Sequence, residues 1–146
     1  MILLDWLPTV GNCCFCCSLK VGSIIIAVLG IIGAVEALAV FGKGDCFQGN
    51  IYQILKWVSL VFHIVMLVTA VLFIIGIILG WPITAEVFMY VMAISLILTL
   101  IFGICFFFIP VKKECGESWA FSVSHFLSCI VSFYFLVVVA SYHKLM

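Results

Sequence analysis

Between Val21 and Phe41 the chain runs for about twenty residues without a basic side chain. At about 1.5 Å of helical rise per residue, that run matches the roughly 30 Å hydrocarbon core of a bilayer. It reads as a transmembrane helix interrupted by one acid, Glu36. Its small residues Ser23, Ala27, Gly30, Ala34 and Ala37 line one face, where a neighbouring backbone can approach closely, so this face is expected to be buried against other helices. Glu36 lies off that stripe, near the end of the span. An ionised carboxylate facing lipid there would be costly, and it is expected to be paired, protonated or turned to the interior.

Three further apolar runs follow at 57–79, 86–109 and 119–141. Gly80-Trp81-Pro82 marks the boundary after the second, through proline and an interfacial tryptophan. Thr84 is expected to cap the third helix, with Glu86 favourable in its positive first turn. Pro110 closes that helix, Ser118 is the expected cap of the fourth, and Tyr142 to Met146 form a tail. Connections this short make neighbouring helices antiparallel. The expected fold is an all-α, integral membrane four-helix bundle, up-down-up-down, in a single unit over 1–146 with both termini on one side.

Composition excludes the soluble alternative: 68% of residues are hydrophobic, 8% are charged, and mean hydropathy is +1.50. Helices of a soluble bundle would carry polar faces, and these runs carry almost none. The formal charge is zero, arginine is absent and the lysines cluster only at Lys112-Lys113, so no nucleic-acid partner is expected. The first eighteen residues lack the features of a removable signal peptide, leaving the first span as the expected insertion signal. The short head, with Ile2-Leu3-Leu4 and Trp6-Leu7 ahead of Pro8 and Gly11, suits the membrane interface.

Counting from the span ends places Glu36, His63, Cys105 and His125 at one depth, near the face carrying the two larger loops. Ser118, Ser122, His125, Cys129 and Ser132 form a stripe on the fourth span, and Ser59 shares a face with His63 on the second. Such a stripe normally points inward, because its polar groups lack partners in lipid. The layer supports two readings. Carboxylate, imidazole and thiolate could relay protons or bind a borderline metal such as zinc. The preferred reading is interhelical hydrogen-bond glue, since no pair on one helix has a metal-binding spacing. No metal or other cofactor is therefore expected. With no nucleophile-base motif, phosphate loop or extramembrane domain, the chain is not expected to be an enzyme.

The cysteines fall into three groups. Cys13, Cys14, Cys16 and Cys17 sit just before the first span, where cytosolic thiols are acylation targets, and their adjacency suits zinc less well. Cys46 and Cys115 are each alone in a loop on the same side, so a disulfide between them is permitted if that side is lumenal or extracellular. Cys105 and Cys129, inside spans, read as packing residues. Lys43, Lys56, Lys112 and Lys113 give a slight positive-inside bias toward cytosolic loops. The cysteine pattern argues instead for cytosolic termini. Tyr142-His143-Lys144-Leu145 agrees with it, matching the tyrosine-x-x-bulky-apolar pattern read by clathrin adaptors, and cytosolic termini are the expectation.

The opening Cys13-Cys14-Phe15-Cys16-Cys17-Ser18-Leu19-Lys20-Val21-Gly22, followed by Ile24-Ile25-Ile26, resembles that of small arthropod four-span membrane proteins. These are similar in layout to the lysosome-associated four-span transmembrane family and to the Pasiflora proteins of septate junctions. Over the rest of the chain the resemblance rests on hydropathy, loop lengths and isolated cysteines. It implies a non-enzymatic plasma-membrane or endosomal/lysosomal protein of trafficking, transport assistance or junction organisation, partnered by the bilayer and by other membrane proteins or itself. The tail lacks the proline-tyrosine motif of the lysosomal family. The leading functional expectation is a structural or adaptor tetraspan, and the alternative is a transporter or channel subunit that uses the Glu36, His63 and His125 layer.

Overall fold

The computed structural model describes residues 6–12, 17–41, 49–109 and 118–146. Four helices account for most of them: α1 Leu19–Phe41, α2 Asn50–Leu79, α3 Pro82–Phe108 and α4 Ser118–Leu145. Each is long and apolar enough to cross a membrane. In lipid, a helix is favoured because it satisfies its backbone hydrogen bonds internally. The helices pack as a ring in chain order, α1 on α2, α2 on α3 and α3 on α4, with α4 returning to α1 over a shorter stretch than any other neighbours share. Isoleucine, valine and leucine side chains cover the outer surface of all four. In water that surface would drive aggregation; here it is the face a bilayer solvates.

The helix bounds correct several expectations. α2 begins at Asn50 rather than Trp57, and α3 at Pro82 rather than Glu86. Trp81 is the N-cap of α3 and makes no side-chain cap bond, while Pro82 occupies the first turn, where its missing N–H costs nothing. Thr84 is therefore inside the helix, its hydroxyl donating to the Trp81 carbonyl at 2.8 Å, and Glu86 lies beyond the first turn. The turn before α3 depends on Gly80, whose φ of 72° is left-handed and favours glycine. α4 continues to Leu145, so the expected tail is helical almost to its end.

The core lies in the half of the bundle that holds the termini and the α2–α3 turn. Ala27, Ala70, Ala85 and Ala140 are buried there and let the helices approach, while Phe73 and Phe88 stack with ring centroids 4.6 Å apart. On α1, Ser23, Ala27 and Ala34 are buried and Gly30 and Ala37 half-buried, so the small-residue stripe faces the bundle. The head joins this core rather than lying apart from it. Leu7 is buried with Leu19 and Tyr142, and the Val10 amide donates to Ser141 Oγ at 3.0 Å.

Candidate functional site

The other half of the bundle encloses space instead of a core. A chamber of about 370 Å³ lies among the helices, lined on α2 by Ser59 and His63, on α3 by Ser95 and Thr99, and on α4 by Ser124, His125 and Ser128. Three helices thus each contribute a polar pair one turn apart, which places both members on one face. α1 contributes Gly30, Gly33 and Ala34, which leave room rather than polar groups. A second lobe of about 430 Å³ shares Gly30, Gly33, Met66 and Ser128 with the chamber. It continues between Leu29 on α1 and Leu127, Val131 and Ser132 on α4. Leu29, Gly33, Leu127, Ser128 and Val131 are all exposed, so the cavity opens sideways along the seam of α1 and α4, the least extensive contact between neighbouring helices.

Hydrogen bonding fixes one of the imidazoles. His63 Nδ1 lies 2.6 Å from the Ser59 carbonyl oxygen and 3.2 Å from Ser59 Oγ. A carbonyl only accepts, so Nδ1 carries the proton and, in the neutral ring, Nε2 is left as an acceptor. On α3, the Thr99 hydroxyl donates to the Ser95 carbonyl at 2.8 Å. His125 packs against the Phe106 ring at 4.8 Å. Among the described residues, no aspartate, glutamate, lysine or arginine lines the chamber. Among the described residues, no three histidine, cysteine, aspartate or glutamate side chains converge as a metal site.

The depth layer read from the sequence is therefore divided. His63 and His125 line the same chamber, whereas Glu36 is exposed on α1 and Cys105 is half-buried on α3, and neither lines it. The α4 stripe divides as well. Cys129 is buried, its thiol directed at the Leu96 carbonyl 3.9 Å away, and Ser132 borders the lateral lobe. Ser122 is fully buried with no hydrogen-bond partner among the described residues. The Ser118 side chain lies outside the described residues. Sequence reasoning missed Ser95, Thr99, Ser124 and Ser128; their signal was hydroxyls repeated at one-turn spacing inside apolar spans.

Cys13, Cys14, Cys16, Cys46 and Cys115 lie outside the described residues, as do Lys43, Lys112 and Lys113. Cys17 is half-buried just before α1. Tyr142 is buried in the core and Leu145 exposed in the last turn of α4. In this conformation the tyrosine ring is packed inside the bundle, not presented to a cytosolic receptor.

These features define an integral membrane four-helix bundle with a polar chamber and a lateral opening. Set against known protein families, curated proteins and solved structures, the chain matches none.

Proposed function

We propose that this is a non-enzymatic tetraspan protein acting as a structural, adaptor or trafficking component by lateral association with other membrane proteins or with itself. The observation that carries the reading is the sparsely packed seam between α1 and α4, bordered by the exposed Leu29, Gly33, Leu127 and Val131. A transmembrane helix resting there would cover the seam, and Gly33, with open space where a Cβ would stand, would allow close approach. The resemblance of the opening sequence to small four-span proteins of junctions and endosomal membranes supports the same reading. A second reading, a transporter or channel subunit, is favoured by one feature: two imidazoles among hydroxyls inside an otherwise apolar bundle.

His63→Gln separates the two. An amide keeps hydrogen bonding but does not replace imidazole as a proton carrier or metal ligand. Under lateral association, the variant should reach wild-type abundance and co-purify with the same membrane protein, and vesicles holding wild-type protein should show no pH- or zinc-dependent flux above empty ones. Normal abundance with a wild-type flux abolished by His63→Gln would establish the transport reading instead. Because Glu36 does not line the chamber, Glu36→Gln should leave both measurements unchanged.

The reading includes cytosolic termini, supported by the acylable head cysteines and the solitary loop cysteines. In that orientation Cys46 and Cys115 face an oxidising compartment and should resist alkylation until the protein is reduced. Labelling of both by an impermeant maleimide in unreduced cells would remove the bridge. Labelling of Cys13, Cys14, Cys16 and Cys17 from outside would reverse the orientation.

A further inference from the structure

We propose that the chamber holds the headgroup of a neutral lipid bearing a free hydroxyl, whose apolar tail passes out through the opening between α1 and α4. The inference stands on the cavity and does not depend on a protein partner. Size is the first argument. The chamber's volume of about 370 Å³ falls in the range of about 300–1,000 Å³ typical of small-molecule sites, and is far more than one buried water needs. Ala27, Ala70, Phe73 and Val138 are fully buried in the other half of the bundle, so the space is concentrated in the chamber and the lobe that adjoins it.

Chemistry is the second argument. The lining offers serine and threonine hydroxyls from three helices, and His63 Nε2 as an acceptor that suits a hydroxyl donor. Among the described residues that line the chamber there is no carboxylate, lysine or arginine. A phosphate or an inorganic ion entering it would give up hydration without gaining a counter-charge, whereas a neutral hydroxyl exchanges water hydrogen bonds for equivalent ones. Shape is the third argument. The polar chamber leads directly into a lobe lined by Leu29, Met66, Leu127 and Val131, which opens where bilayer hydrocarbon lies. Polar at one end, apolar at the other and bordered by exposed residues along the α1–α4 side, the cavity as the described residues line it has the pattern of an amphipathic lipid.

Gly33 stands at the threshold of both lobes, and a Cβ built there meets nothing within 4 Å. Gly33→Leu should therefore narrow the opening without disturbing the packing.

The test uses the purified full chain in phosphatidylcholine vesicles carrying a trace of a photoactivatable diacylglycerol, a photoactivatable sterol or, as the zwitterionic control with a phosphate and no free hydroxyl, a photoactivatable phosphatidylcholine. A hydroxyl-bearing probe should label α1 and α4 peptides around Gly30–Ala34 and Ser124–Val131. Excess unlabelled lipid of the same class should suppress that labelling, and Gly33→Leu should reduce it severalfold at an unchanged melting temperature. Whichever of the diacylglycerol and sterol arms labels more strongly identifies the source of the hydroxyl. If Gly33→Leu fails to fold, Ser128→Leu at an exposed lining position gives the same reading. Equal labelling by phosphatidylcholine, labelling spread over the outer face of α3, or labelling unaffected by a folded occluding variant would overturn the proposal. Reconstitution at less than one chain per vesicle removes both other proteins and self-association, so either result leaves lateral association to be judged separately.

Discussion

Gly76→Ala is expected to destabilise the bundle by about 3 kcal/mol, the upper part of the usual range for overpacking a well-filled core. Gly76 lies on α2 where it crosses Thr84 at the start of α3, just before the turn at Gly80. A Cβ added there overlaps Thr84 Oγ1 and comes within 2.6 Å of Thr84 Cβ and 2.8 Å of its Cγ2. Three atoms of one residue, Cβ included, occupy the space, so turning the threonine side chain does not relieve the overlap and the two backbones must separate. The short turn restricts that movement. Reversible unfolding in detergent micelles measures the loss, and adding Thr84→Gly to Gly76→Ala should recover most of it. A single variant as stable as wild type would mean that α2 and α3 do not meet here.

Phe73→Ala is expected to cost roughly 3 kcal/mol, the lower end of the range for removing a buried phenyl ring from a soluble core. Phe73 is fully buried and stacked on Phe88. In a bilayer the separated helices are already in an apolar solvent, so little of the penalty is transfer free energy. What remains is the cavity and the lost dispersion contacts of the stacked rings. Phe73→Leu should cost appreciably less because it refills most of that volume. The same unfolding measurement checks both, and equal losses for Ala and Leu would show that ring stacking rather than volume sets the cost.

The four spans were legible because uninterrupted apolar runs of that length have few other uses, and the buried face of α1 because Ser23, Ala27 and Ala34 repeat at helical spacing. The start of α2 was not legible. Gln53 and Lys56 lie ahead of the uninterrupted apolar run that begins at Trp57, yet a helix keeps its own hydrogen bonds and can run past the hydrocarbon edge. The chamber was half legible, since depth along a span can be counted whereas rotation about its axis is decided by packing. Glu36 is two residues from buried Ala34, about 200° around the helix, which turns it away from Ala34's face at nearly the same depth. The docked head left no comparable signal, because the pairing of Val10 with Ser141 joins residues at opposite ends of the chain.

The central claim is that this protein works sideways, through the seam between α1 and α4. Photo-crosslinking residues placed one at a time in the full chain, in its native membrane, test it most directly. The seam set is Leu29, Leu127 and Val131; the control set is Ile97 and Ile104, exposed on α3 and outside both lobes of the cavity. The prediction is a protein adduct of discrete mass from the seam positions, with none from the controls at equal expression. Adducts arising equally from both sets, or from α3 alone, would contradict it.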